Sequence, residues 1–79
     1  MKRTVLASLE TTDGTQCVDF FVRADGSFGF EHYRADLDGA GRWQSLNRYS
    51  HLSFATGDEA LRMAKQRLPW LDPETVWHW

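Results

Sequence analysis

Three Asp-Gly dipeptides constrain the fold of this chain more than any other feature of its sequence. They are Asp13-Gly14, Asp25-Gly26 and Asp38-Gly39, at spacings of 12 and 13 residues. Tight hairpin turns need a positive φ, which Gly adopts freely and Asp tolerates. The segments between the turns are rich in Val, Phe, Tyr and Trp, which are typical of strands. The spacing therefore predicts a four-stranded antiparallel meander.

The predicted strands span about residues 4–10, 15–23, 27–35 and 42–47, and residues 52–54 form a candidate fifth strand. A two-residue loop at Asp13-Gly14 and a three-residue loop ending at Gly26 place the large apolar side chains on one face, as a half-buried sheet requires. In this register the apolar cross-strand pairs are Val5–Val22, Ala7–Phe20, Leu9–Val18, Val22–Phe28 and Phe20–Phe30.

One helix is predicted after the sheet, over about residues 57–68. Thr56 and Glu59 form a capping box, and Pro69 cannot continue the helix without strain. Its apolar stripe consists of Ala60, Leu61, Ala64 and Leu68. The fold class is therefore α+β: an antiparallel meander of four strands, or five with residues 52–54, with one C-terminal helix packed on one face. The single domain 1–79 divides into a sheet (about 4–54), a helix (about 57–68) and an aromatic C-terminal segment (69–79).

Composition limits the classes of protein to which the chain can belong. Cys17 is the sole cysteine, so no disulfide forms within the chain, and no signal-like apolar stretch opens the sequence. Both features predict a cytoplasmic protein. No run approaches the ~20 apolar residues that span a bilayer. The formal charge is −2 and the Arg residues are scattered, which disfavours nucleic-acid binding.

The second face of the sheet has no helix to cover it. It is predicted to carry an apolar patch, and such patches usually mark contact surfaces. This favours a non-enzymatic interaction protein whose candidate surface is Leu6, Phe21, Tyr33 and Trp43. Two covers for the patch remain open. A homodimer would bury Phe21, Tyr33 and Trp43 across a two-fold axis, whereas the C-terminal segment would cover the patch with Trp70, Trp77 and Trp79.

Two other functions are weighed against the interaction protein. Asp19 and Glu31 are predicted cross-strand neighbours, which allows acid–base chemistry, although an adjacent Arg34 or Arg48 is expected to neutralise them. A nucleic-acid-binding module would use Tyr33, Trp43, Arg34, Arg42 and Arg48. The three His residues and Cys17 lack the spacing of metal ligands, and no catalytic set combines nucleophile, base and pocket. We therefore predict no catalytic, metal or cofactor site.

Three segments together resemble a known type of protein: residues 18–23, residues 25–31, and the Thr56-to-Leu71 stretch with its cap and its Pro69 stop. They resemble short uncharacterised bacterial proteins, grouped as a domain of unknown function, in which a small antiparallel sheet precedes one helix. The resemblance implies the fold. No activity is attached to such families, so it implies no catalytic residue.

Overall fold

The computed structural model describes residues 3–35, 43–72 and 74. Four strands, β1 (Arg3–Glu10), β2 (Gln16–Arg23), β3 (Phe28–Ala35) and β4 (Trp43–Ser45), precede one helix, α1 (Gly57–Arg67). The strands pair antiparallel in the order β1-β2-β3-β4. Helix α1 packs against β3 and β2 on one side of the sheet, here called the helix face, and the opposite side is called the open face. The predicted α+β meander with one C-terminal helix is confirmed.

Glycine sets the geometry of the first two turns. Gly14 and Gly26 have φ values of 71° and 86°, in the left-handed region that favours glycine. At the second turn the Arg23 N–H donates to the Ser27 carbonyl at 2.8 Å, which closes the predicted three-residue loop. The third Asp-Gly dipeptide, at 38–39, lies outside the described residues.

The core lies between α1 and the helix face. Phe20 and Phe30 are fully buried, and the Phe30 ring stacks on Tyr49 with centroids 5.0 Å apart. The sequence offered Trp70, Trp77 and Trp79 as a cover for the open face. Trp70 packs against this core on the helix face instead, and Trp77 and Trp79 lie outside the described residues. The buried core residues are Val18, Phe20, Phe30, Ala60, Leu61, Ala64, Leu68 and Leu71.

The prediction that Val5 lies opposite Val22 in this core is wrong. A β-bulge between Val5 and Ala7 sets Val5 opposite Phe21, and Val5 is 50% exposed. The same bulge puts Arg3 on the open face, where its guanidinium lies 4.1 Å from the centre of the Phe21 ring. Because α1 packs on β2 and β3, burial of Val5 would gain little there, whereas Arg3 in this position covers an aromatic ring.

The segment after β4 forms less regular structure than predicted. The candidate fifth strand is reduced to one bridge, in which Phe28 and Phe54 exchange two main-chain hydrogen bonds of 2.8 and 2.9 Å. Strand β4 ends at Ser45, although the Leu46 N–H still donates to the His32 carbonyl at 3.0 Å. Residues 46–54 thus cover the edge of β3 that β4 leaves open. In the described part of the chain, no helix is long and apolar enough to cross a membrane.

Candidate functional site

Phe21, the central residue of the predicted interaction surface, is not available to a partner. Its side chain is 0% exposed, contrary to the expectation that one chain would leave it uncovered. The guanidinium groups of Arg3 and Arg23 lie over its ring at 4.1 and 4.9 Å. Gly29 opposite Phe21 makes room for the ring, because a Cβ at residue 29 would lie 2.8 Å from the Phe21 Cε1 atom. Two cations therefore cover the aromatic ring within one chain.

The other three predicted surface residues do not form one patch. Tyr33 and Trp43 line one pocket on the open face, and Leu6 is not among the residues that line it. Leu6 lies on β1 and Trp43 on β4, the two outermost strands of the sheet. The Leu6 side chain is 42% exposed and the Trp43 side chain is 40% exposed. Tyr33 is half-buried, and its hydroxyl accepts a hydrogen bond from the Arg3 Nη2 at 3.1 Å. Polar groups lie between them, since the Ser8 hydroxyl donates to the Asp19 carboxylate at 2.6 Å. The surface is therefore mixed rather than one contiguous apolar patch.

Cys17 is held as a neutral thiol. It is buried on the open face, 3.5 Å from the Asp19 Oδ1. Burial and the negative charge of Asp19 raise the pKa of the Cys17 thiol to about 12. A nucleophilic cysteine needs the opposite environment, one that stabilises its thiolate. The site around Cys17 therefore gives no support to covalent chemistry.

Glu31 lies directly opposite Asp19, as predicted, but the side chains of Arg34 and Arg48 do not form the expected ion pair with it. Its side chain is 0% exposed, and its two oxygens accept hydrogen bonds from four backbone N–H groups. The donors are His32 at 2.7 Å, Arg48 at 3.2 Å, Tyr49 at 3.2 Å and Ser50 at 2.9 Å. Burial opposes ionisation, yet these four bonds outweigh it and lower the pKa of the Glu31 carboxyl. The carboxylate is thus fully occupied in holding residues 48–50 against β3.

The Arg23 side chain binds the carbonyl groups of the same segment. Its Nη2 atom donates to the Ser50 carbonyl at 2.5 Å and to the Leu52 carbonyl at 3.1 Å. Glu31 accepts from N–H groups of residues 48–50, and Arg23 donates to carbonyl groups of residues 50 and 52. Glu31 and Arg23 therefore satisfy opposite kinds of main-chain group, donors and acceptors, in one irregular segment. Those groups would be costly to bury without hydrogen-bond partners. Glu31, which the sequence analysis weighed for acid–base chemistry, thus serves a structural purpose.

His32 is buried on the helix face, beside Trp70. Its Nε2 atom lies 2.9 Å from the Gln16 Oε1, and its ring centre lies 5.9 Å from that of Trp70. The His32 Nδ1 atom is buried and has no hydrogen-bond partner. Burial first, and then the nearby Arg48 charge, lower the pKa of His32, so its ring is neutral at pH 7.

A basic cavity on the helix face was not predicted from the sequence. It has a volume of about 390 Å³ and is lined by Thr15, Gln16, His32, Arg34, Ala35, Leu46 and Arg48. Sequence reasoning grouped Arg34 and Arg48 with Tyr33 and Trp43 as a nucleic-acid surface. The register separates them, because Tyr33 lies on the open face and the next residue, Arg34, must lie on the helix face. Arg42 of that group lies outside the described residues.

Within residues 3–35, 43–72 and 74, no strand pairs with the outer edge of β1, which carries a row of main-chain N–H and C=O groups. The Arg23 N–H donates to Ser27 and the Thr15 carbonyl accepts from Ala35, so the odd-numbered residues of β2 bond to β3. Hydrogen-bonded and non-bonded pairs alternate along an antiparallel ladder. The β1 residues opposite those odd-numbered positions therefore direct their N–H and C=O groups away from β2. These residues are Arg3, Val5, Ser8 and Glu10.

The chain matches no protein-family model, no curated protein and no solved structure. The resemblance to small bacterial proteins therefore stays a prediction. Within the described ranges, no group of three or more His, Cys, Asp or Glu residues is placed to hold a metal ion.

Proposed function

We propose that this chain is a non-enzymatic, cytoplasmic interaction module whose first partner is a second copy of itself, bound along the edge of β1. The observation that carries the proposal is the open edge of an eight-residue strand with two adjacent exposed aliphatic side chains, Val5 at 50% and Leu6 at 42%. Exposed strand edges are templates for pairing with another chain. Such pairing supplies main-chain hydrogen bonds from groups already aligned.

The sequence of β1 is complementary to itself in one antiparallel register. When Arg3 of one copy lies opposite Glu10 of the other, a two-fold axis relates the copies, and two Arg–Glu pairs form. Val5 then lies opposite Ser8 of the second copy. All four of these residues direct their main-chain groups toward the free edge, so each pair can exchange hydrogen bonds.

The bulge makes this register possible. Along a regular strand, residues 3 and 10 would point to opposite faces, because side chains alternate. The bulge between Val5 and Ala7 shifts this alternation, so that Arg3 and Glu10, opposite Arg23 and Cys17, share the open face. Bulges often protect edges from pairing. In this register the two bulges face each other across the two-fold axis and do not displace the ladder.

In the proposed dimer the two four-stranded sheets form one continuous sheet, with both helices on the same side. The candidate surface residues Leu6, Tyr33 and Trp43 then lie on one extended open face, with Leu6 beside the two-fold axis.

The enzyme alternative has less support than the interaction module. The carboxylate of Glu31 is occupied by main-chain donors, which disfavours an enzyme centred on Asp19 and Glu31.

Sedimentation equilibrium over a hundredfold range of concentration tests the proposal. We expect a mass that rises from 9.2 kDa toward twice that value. Glu10→Arg should shift the equilibrium toward monomer by about tenfold or more, because it places like charges opposite each other twice. Glu74→Arg makes the same charge change at an exposed residue outside β1 and should leave the equilibrium unchanged.

Amide hydrogen exchange provides a second, residue-specific measurement. Raising the protein concentration should slow exchange at Val5 and Ser8, whose N–H groups face the free edge, and leave Ala7, which bonds to β2, unchanged. A constant mass near 9.2 kDa would end the proposal. A dimer that Glu10→Arg leaves intact, with Val5 and Ser8 still exchanging rapidly, would show that another surface is used.

A further inference from the structure

The described residues that line the basic cavity carry positive charge and no negative charge. Arg34 and Arg48 both line it, and no Asp or Glu lies among its described lining residues. In the described part of the chain neither guanidinium forms an ion pair or a hydrogen bond. Two unpaired cations on the wall of one cavity repel each other unless an anion lies between them.

Glu31 positions Arg48 without neutralising it. The Arg48 N–H donates to the Glu31 Oε2 at 3.2 Å, which fixes the backbone at residue 48, while the Arg48 side chain remains exposed. Both oxygens of Glu31 are occupied by main-chain donors. The buried carboxylate of Glu31 thus orients a cationic residue and leaves its guanidinium available.

Polar uncharged groups complete the wall. Gln16 lies opposite Arg34 across β2 and β3, and its Oε1 atom lies 2.9 Å from the His32 Nε2. His32 is 6% exposed, and its Nδ1 atom has no partner. The side-chain amide of Gln16 adds a hydrogen-bond donor of a kind that accompanies arginine in anion sites. The Thr15 hydroxyl, by contrast, already donates to the Asp13 carboxylate at 2.7 Å.

We propose that this cavity binds a small oxyanion, the carboxylate or phosphate group of a small molecule, between Arg34 and Arg48. The planar guanidinium group binds both kinds of oxyanion through paired hydrogen bonds. A volume of about 390 Å³ is at the lower end of the range for ligand pockets, which suits a small metabolite rather than a polymer. Neutral His32 and Gln16 form a wall against which the ligand packs.

Titration of the ¹⁵N-labelled chain followed by NMR tests this site. The probes are sodium phosphate and sodium succinate, each compared with sodium chloride at equal ionic strength. We expect saturable shifts at the amides of Thr15, Gln16, His32, Arg34 and Arg48, with half-saturation below about 10 mM. Succinate acting alone assigns a carboxylate ligand, phosphate acting alone assigns a phosphate ligand, and both acting supports the shared oxyanion chemistry.

The matched variants locate the binding. Arg34→Gln with Arg48→Gln should weaken binding by about tenfold or more, because both cationic donors are lost. Arg62→Gln removes an exposed arginine of α1 outside this cavity and should have no effect. Far-ultraviolet circular dichroism confirms that each variant is folded. The proposal is overturned if neither probe gives saturable shifts, or if the double variant binds as tightly as the wild type. It is equally overturned if a single-stranded oligonucleotide binds and both small anions do not.

Discussion

At the scale of single residues, Glu31 and Phe21 share one property: each is buried on the sheet face opposite α1. Glu31 is satisfied by main-chain N–H groups of residues 32 and 48–50, and Phe21 is covered by two guanidinium groups. Each solution recruits groups distant in sequence. A small sheet can therefore bury a charge and an aromatic ring on its second face without a second layer of secondary structure.

Glu31→Gln is expected to lower the free energy of unfolding by about 2 kcal/mol or more at pH 7. Gln has one accepting oxygen where Glu has two, so some of the main-chain N–H groups that bond to the carboxylate would lose their acceptor. Urea unfolding followed by circular dichroism measures the change. Asp19→Asn alters the cross-strand neighbour, whose carboxylate instead accepts from the Ser8 hydroxyl, and should cost less than about 1 kcal/mol. Equal losses in the two variants would contradict the special role of Glu31.

Glu31 also predicts how stability changes with pH. The pKa of its carboxyl is lower in the folded chain than the ordinary value of 4.5, because the four main-chain donors outweigh the effect of burial. The stabilisation is therefore fully present above pH 4.5 and is lost as pH falls through the folded pKa. Urea unfolding between pH 7 and acid pH should show a steeper loss for the wild type than for Glu31→Gln. Parallel curves would contradict this prediction.

At the scale of elements, α1 follows from local sequence signals. The Thr56 hydroxyl accepts from the Glu59 N–H at 3.2 Å, and Glu59 reaches back to that hydroxyl at 3.4 Å. The helix ends at Arg67, where the Leu68 N–H still donates to the Ala64 carbonyl and Pro69 follows. Strand β1 differs, because its bulge depends on Phe21 and Tyr33, which lie on other strands.

Thr56→Ala is expected to lower the free energy of unfolding by about 1 kcal/mol, since it removes the acceptor for the Glu59 N–H at the start of α1. Thermal unfolding followed by far-ultraviolet circular dichroism, in the negative band typical of helices, measures the loss. Thr12→Ala changes an exposed threonine in the first turn and is the control, with an expected effect within about 0.5 kcal/mol. If both variants unfold at the same temperature, the cap contributes nothing measurable.

At the scale of the whole molecule, one small core holds the helix to the sheet. Phe30 is at its centre, with ring centres of Phe20, Tyr49 and Phe54 at 5.9, 5.0 and 6.0 Å. Domains of this size bury a modest share of their surface and are stable by only a few kcal/mol. A single buried aromatic side chain therefore contributes a large fraction of the total free energy of unfolding.

Phe30→Ala is expected to destabilise the fold by about 3–5 kcal/mol, the usual cost of removing a buried aromatic side chain. Urea unfolding at a concentration where the chain is monomeric measures the loss. Leu6→Ala, which truncates a 42% exposed side chain on the open face, should cost less than about 1 kcal/mol. A Phe30→Ala variant with nearly wild-type stability would contradict the assignment of the core.

The sequence by itself determined the parts of the fold that depend on neighbours along the chain. Left-handed Gly14 and Gly26, the cap at Thr56 and the alternation along β2 and β3 are set by short-range sterics and hydrogen bonding, so their residues reveal them. The apolar faces of β2 and β3 then fix the register that pairs Phe20 with Phe30.

Tertiary structure alone decided the features that join residues far apart in sequence. The bulge in β1 exists where Arg3 can cover Phe21 and bond to Tyr33, a gain that no local pattern encodes. The cavity joins residues 15 and 16 with residues 34 and 48. The pairing of β2 with β3 sets Gln16 opposite Arg34, and the segment after β4 places Arg48 beside them. The chemistry of a site depends on which distant side chains come into contact, and only the folded chain specifies those contacts.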